Sequence, residues 1–307
     1  MLILMIPLHI KSDQPRTIRV KLSAWFCSSA DLCRLWSKMT PGRSLKMAPR
    51  TGLEIIFTDT EPCDYHLVVQ RANDAQQPPL MKTIMLQMET WATFGPPGDY
   101  FYLGSYDRVP HVAEWHLAQD CDELLQCSPA KSKGDAISVI LSDICSNEIY
   151  RHRIAFAHLL DDHFEVDKYG ADADAAKGEP AWRNYRGRLP PHTKDEGLMP
   201  YKYTFNAENA VVHNYVTEKL YDGILSECLV FYMGAPNAAA IVDSRAFVQL
   251  PVGDMAGALA IVRRSVADNE YEARLPFIRA EKARIVRTMS PLAVCCREVL
   301  KAKRIYE

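Results

Sequence analysis

Apolar and polar residues alternate at Ile18, Val20 and Leu22, the period of a strand with one face buried. Leu32, Leu35 and Trp36 then recur at helical spacing within residues 30–39, and the short apolar runs 53–57, 65–69 and 83–88 have the length and composition of strands. A second series starts with a strand at 136–141. It continues with a helix over 147–160, whose Ile149, Phe156 and Leu160 share a side, and a strand at 164–169. Between 171 and 191 the periodicity fails and prolines intervene, so a loop is expected. Beyond it the pattern predicts strands at 201–207, 229–233 and 247–248, then helices from about residue 255. Alternating strands and helices of this kind make α/β architecture the expectation.

Residues 201–236 carry the densest chemistry. Tyr201, Tyr203, Phe205 and Ala207 alternate with Lys202, Thr204, Asn206 and Glu208, and the strand ends in a polar turn containing Glu208 and Asn209. Val216, Leu220 and Ile224 follow at helical spacing, with Asn214 as the candidate cap and Thr217, Glu218 and Lys219 in the first turn. Unpaired N–H groups and the positive dipole end lie there, at the loop where α/β folds take up ligands. A Glu-Lys pair at a helix start is usually a solvated cap, but eight polar residues crowd this strand end: Asn206, Glu208, Asn209, His213, Asn214, Tyr215, Glu218 and Lys219. That crowding favours a site for an anionic ligand.

Composition narrows the class. The 307 residues suffice for two domains, with a boundary near 130 where residues 128–134 (SPAKSKG) have linker composition. A net charge of −2 argues against a nucleic-acid partner, which calls for a basic excess. Nine cysteines without a CxxC pair fit reduced thiols, and zinc spacing is absent. The apolar stretch 1–10 is too short to span a bilayer and lacks the features of a signal peptide, so a soluble, cytoplasmic protein is expected; membrane contact stays open.

Three motifs resemble the α-1,3/4-fucosyltransferases, glycosyltransferase family 10: YKYTFNAEN at 201–209, YVTEK at 215–219 and GAP at 234–236. They occur in the family's order and spacing. Ala207 stands where an aromatic is usual, and 229–231 lacks the family's proline. VDKYG at 166–170 is similar to the VDxxG block, and SNEIYRHRIAF at 146–156 to SNPxxxxRxxF, with Glu148 replacing the proline. The resemblance implies a GT-B-like fold, two Rossmann-like domains facing each other across a cleft. Residues 1–130 would form the acceptor side and 131–307 the GDP-sugar side, the last helix packing back on the first domain. It implies an inverting transfer of L-fucose from GDP-β-L-fucose to a glycan or glycoconjugate hydroxyl, with α-1,3 linkage expected, by one displacement that needs a base but no covalent nucleophile. Another nucleotide-sugar donor and a catalytically inert nucleotide- or glycan-binding protein are the alternatives. An anchored member of the family would be a Golgi protein.

On the same footing Glu89, closing the strand TIMLQME where the family has Gly-Glu-Asn, is the candidate base, although Met88 and Thr90 replace its neighbours. Arg153 and Lys219 are the candidate cations for the departing diphosphate, and Asn209, Tyr215 and Glu218 are expected to contact the donor. Arg151, Lys202 and Glu208 are secondary candidates, Glu208 with an equally good role in holding Lys219 or Arg153. No cofactor or metal is expected. Asp172–Ala173–Asp174 spells the DxD of cation-dependent transferases but lies in the aperiodic stretch, and Asp161–Asp162–His163 is expected to be a solvated helix end. The basic, amphipathic stretch 281–307 is expected to be a closing helix with a solvated face.

Overall fold

The structure, a computed structural model, describes residues 16–50, 52–72, 82–89, 102–105, 111–127, 133–142, 146–171 and 182–306. The N-terminal stretch 1–10, Thr90, the linker residues 128–132 and the Asp172–Asp174 motif lie outside these.

Two six-stranded sheets organise the described residues. The first runs β2-β3-β1-β4-β5-β6, built from β1 (Arg16–Ala24), β2 (Lys46–Arg50), β3 (Leu53–Thr58), β4 (Tyr65–Val69), β5 (Thr83–Gln87) and β6 (Tyr102–Ser105). Only the edge strand β2 is antiparallel. The alternation that predicts β1 places Ile18, Val20 and Leu22 in the core, where they meet α1 (Ser29–Ser37) through Leu32 and Trp36. Ser28 caps α1 by accepting from Asp31 N at 3.1 Å, satisfying one of the free N–H groups of its first turn.

The second sheet is wholly parallel, in the order β12-β11-β10-β7-β8-β9: β7 (Gly134–Leu141), β8 (Val166–Gly170), β9 (Tyr185–Gly187), β10 (Tyr201–Ala207), β11 (Leu229–Met233) and β12 (Phe247–Gln249). All five residues of β11 are buried, as a strand covered on both faces requires. Both sheets reverse their winding once, between β1 and β4 in the first and between β7 and β10 in the second. At such a switch point the connections leave in opposite directions and open a crevice beyond the carboxyl ends of the strands.

Among the described residues, the α-helices after α1 are α2 (Cys121–Gln126), α3 (Glu148–His163), α4 (Glu218–Leu225), α5 (Met255–Ala267), α6 (Glu270–Thr288) and α7 (Pro291–Tyr306). The closing stretch is thus two helices, because the helix is interrupted at Met289 and Ser290 and restarts at Pro291. Leu292, Cys295, Cys296 and Val299 of α7 are buried, and α7 packs on α1, β2 and β5 of the first sheet. The crossing back is fixed by backbone as well: Ala113 N donates to Met289 O at 2.8 Å, and Lys282 Nζ to Cys127 O at 2.9 Å.

Three local expectations change. The aperiodic region contains β9, whose pairing with β8 is too short to leave a period. Asp161 is buried and paired with Arg183, while His163 meets Arg263, so this trio neither converges nor is fully solvated. Asn214 does not cap α4; it has φ 64° and is bonded to Asn237, and the cap is Thr217.

Helix α4 lies close on β10 and β11 because position 223 has no side chain. A Cβ there would fall 2.5 Å from Val230 Cγ2 and 3.2 Å from Thr204 Cγ2, both in the core. Gly223→Ala should therefore destabilise the protein by about 1–3 kcal/mol through overpacking, read in urea titration as a lower midpoint with an unchanged slope.

Candidate functional site

The second sheet's switch point is crossed by one side chain. Arg153 projects from α3, which Asn147 caps by accepting from Tyr150 N at 2.9 Å. Its Nη1 donates to Asn209 Oδ1 beyond β10, and its Nη2 to Ser142 Oγ beyond β7, both at 2.9 Å. The guanidinium also lies 4.3 Å from the centre of the Tyr150 ring, a cation–π distance. Arg153 is 2% exposed, and its Nε has no hydrogen-bond partner among the described residues. Burial lowers its pKa, against the pull of Tyr150, Glu208 and Glu218, yet a guanidinium stays charged at any working pH. A buried donor left unpaired costs about 1–3 kcal/mol, and an anionic oxygen would satisfy it.

Beside it, Glu208 anchors the start of α4. This fully buried carboxylate accepts from Thr217 N at 2.8 Å, Thr217 Oγ1 at 2.7 Å and Tyr232 Oη at 3.0 Å, and lies 3.6 Å from Lys219 Nζ. Gly234 permits this packing, since a Cβ there would fall 2.3 Å from Tyr232 Oη and 2.6 Å from Glu208 Cγ. Burial pushes Glu208 up, opposed chiefly by Lys219.

Lys219 Nζ reaches Glu218 Oε1 at 3.1 Å and Thr217 Oγ1 at 3.2 Å while keeping 20% of its side chain exposed. Burial works against its charge, but Glu218 and Glu208 more than offset it and raise its pKa. For Glu218 the burial cost is likewise overcome, by Lys219 and Lys194, which hold its carboxyl well below the usual range. Both groups of this pair therefore stay ionised, with Lys219 partly open to an incoming anion.

The first sheet supplies the opposite wall. Its switch point opens into a cavity of about 350 Å³ lined by Trp25, Phe26, Gln70, Met88, Glu89 and His111, among others. Trp25 and Phe26 meet edge to face and are 43% and 44% exposed. Glu89 follows β5, its N–H held by Gln70 Oε1 at 3.0 Å. Its carboxylate accepts from Tyr215 Oη at 2.8 Å, a bond that joins the two switch points. Burial raises the Glu89 pKa, while Tyr215 and Lys219 pull it back. A half-buried carboxylate beside a cavity can take a proton from a hydroxyl bound there.

The structure thus brings Glu89, Arg153, Asn209, Tyr215, Glu218, Lys219 and Glu208 into one neighbourhood. Tyr215 is 1% exposed, and its hydroxyl is committed to Glu89. Arg151 is exposed on α3. Lys202 stands apart: it pairs with Asp135 at 2.9 Å and Glu272 at 3.5 Å. It lies six residues before Glu208, about 20 Å along a strand. The structure does not bring it into the neighbourhood of the other candidates.

Lys194 and Asp222 belong to the site without a sequence signal. Lys194 Nζ lies 2.8 Å from Asp222 Oδ2 and 3.6 Å from Glu218 Oε1, and Asp222 Oδ1 accepts from His116 N at 2.8 Å. Lys194 follows the aperiodic stretch and Asp222 is one turn beyond Glu218, so only the i,i+4 spacing of Glu218 and Asp222 hinted at a shared partner.

A family model described as glycosyltransferase family 10 (fucosyltransferase), C-terminal, matches residues 130–285. No curated protein sequence matches the chain. Among solved structures, an α1,3-fucosyltransferase with GDP-fucose is 16% identical, covering 99% of this chain and 94% of its own, with a TM-score of 0.53. An α1,3-fucosyltransferase with GDP is 15% identical over 88% of this chain and 84% of its own, with a TM-score of 0.51. A sucrose-phosphate synthase from Thermosynechococcus elongatus is 6% identical over 96% and 100%, with a TM-score of 0.50. At these identities the likeness is one of fold, the GT-B arrangement of two facing α/β sheets.

Because three donors and a cation share Glu208, Glu208→Ala should cost about 3–5 kcal/mol, each buried donor left without an acceptor costing about 1–3 kcal/mol. Glu208→Gln, which can still accept hydrogen bonds, should lose less. Thermal and urea unfolding of both variants would check the order.

Proposed function

From the chain's membership of glycosyltransferase family 10, the fucosyltransferases, we propose that this fucosyltransferase moves L-fucose from GDP-β-L-fucose to a hydroxyl of a glycan or glycoconjugate acceptor, with inversion and in α-1,3 linkage. The observation that carries the reading is the 2.8 Å bond from Tyr215 to Glu89, which sets a carboxylate of one sheet against the cationic pocket of the other.

In this reading the diphosphate sits between Arg153 and Lys219. As the bond from fucose to the β-phosphate oxygen stretches, negative charge grows on the GDP, and fixed cations favour that state over the bound donor. Asn209 and Glu218 hold the sugar or ribose, with Glu218 kept ionised by Lys219 and Lys194. Glu208 positions Thr217 and Lys219 and contacts no substrate. The acceptor enters the cavity beside Trp25 and Phe26, whose exposed rings offer apolar faces to a pyranose. Glu89 takes the proton of its attacking hydroxyl, and the hydroxyl oxygen attacks the anomeric carbon as GDP leaves. One displacement inverts the centre, so no covalent nucleophile is needed. In this scheme the positive charge at the diphosphate comes from Arg153 and Lys219. Among the described residues no helix is long and apolar enough to cross a membrane.

Incubation with GDP-fucose and a panel of glycan acceptors, with linkage analysis of the product, tests the reading. Transfer of another sugar instead would move the donor assignment, and GDP binding without transfer from any GDP-sugar would leave a binding protein. Lys219→Ala should lower kcat by about 10²–10³, the loss seen on removing one group that stabilises developing charge.

The pH dependence isolates the base. Glu89 acts only when ionised, so kcat/KM should fall as pH drops through its pKa, which burial sets above the ordinary glutamate value. Glu89→Gln should lose about 10²–10⁴ in rate while still binding GDP. Tyr215→Phe removes a hydrogen bond that favours the ionised form, so the acid limb should move to higher pH. An unmoved limb would detach Glu89 from the chemistry.

A further inference from the structure

The loop between β3 and β4 gathers three donors of different kinds. His66 Nε2 lies 3.5 Å from Cys63 Sγ and 3.5 Å from Glu61 Oε1, and all three donor atoms are within 4.8 Å of one another. A tetrahedral zinc ion bound at about 2.3 Å to sulfur and about 2.0 Å to nitrogen and oxygen separates those ligands by about 3.6 Å (S to N) and about 3.3 Å (N to O). The observed separations are close to both edges. Thiolate, imidazole and carboxylate together suit a borderline-soft ion such as zinc better than magnesium or calcium, which prefer oxygen alone.

The frame that carries the donors is held in place without them. Arg19 Nε donates to Pro62 O at 2.9 Å, Arg19 N donates to Asp64 Oδ2 at 2.7 Å, and Asp64 N returns a bond to Arg19 O at 2.8 Å. His66 sits in β4, in register with Lys21 of β1 and Thr83 of β5. Binding would therefore cost little ordering of the chain. Lys21 opposes binding by its charge: its Nζ lies 3.8 Å from Glu61 Oε1, with 19% of its side chain exposed. Absence of CxxC spacing left this trio unmarked in the sequence, because mixed donors follow no paired-thiol rule.

We propose that Glu61, Cys63 and His66 bind one zinc-class divalent cation, with solvent completing the tetrahedron. The site lies at the start of β4, whereas the cavity lies beyond its last residue, Val69, so the ion fastens the β3–β4 loop to that strand and takes no part in sugar transfer. On binding, the Cys63 thiol gives its proton to solvent as the sulfur–metal bond forms.

The test uses chelator-treated full-length protein titrated with Zn(II) against a chromogenic competitor, and with Co(II) to observe thiolate-to-metal absorption. One ion per chain, a thiolate band, and a rise in Tm with Zn(II) are expected. Cys63→Ser should abolish the band, and Cys63→Ser and His66→Asn should each weaken binding by more than about 10-fold, a loss that even outer-shell changes reach. Glu61→Gln, on an exposed side chain, should weaken it without harm to folding. The proposal fails if the parent protein binds no Zn(II), or if affinity and the cobalt spectrum are the same in all three variants.

Discussion

Glu208 occupies a point where the cleft could not be assembled from its other residues alone. It directly follows β10, is shut off from solvent, and has its two oxygens shared among Thr217, Tyr232 and Lys219. A carboxylate in such a place is tolerable only if every neighbour is correctly placed, and its neighbours include the cap of α4, the residue before Gly234 by two positions and the cation that follows the cap. Strand end, helix start and cationic pocket are thereby one electrostatic unit. The family-like blocks at 201–209, 215–219 and 234–236 are separated in sequence but converge on this one side chain.

The two halves meet through polar contacts around that unit. Tyr215 reaches Glu89, Asp222 receives His116 N, and Asp195 receives Ala118 N at 2.7 Å. Each is a single hydrogen bond, modest in net energy, and together they set the distance between base and cations. The apolar adhesion is elsewhere, under α7. Precision in the cleft and cohesion of the molecule are thus assigned to different regions.

Much of this was legible from periodicity. The strands that predict themselves are β1, β3, β4, β5, β7, β8, β10, β11 and β12, and each places buried residues on at least one face. The strands that escaped, β2, β6 and β9, are edge strands of three to five residues, too short to show a period. At the site, charge type and motif spacing located Glu208, Glu218 and Lys219, but alternation could not tell which end of β10 faced the cleft, so Lys202 looked equivalent. Asn214 and Thr217 are both good caps by residue type. Only the pull of Glu208 on Thr217 decides between them. Lys194 and Asp222 depend on a contact between segments 28 residues apart, which no local pattern records.

The return of α7 to the first sheet has a consequence for the order in which the protein is made. On a ribosome, β1 to β6 emerge early, yet the surface formed by α1, β2 and β5 waits for a cover that is synthesised after the whole second sheet. The second sheet, contiguous in sequence from β7 to β12, can close as soon as its own strands are out. Folding would then run against the direction of synthesis, with the later-made half completing first and the earlier-made half sealed last.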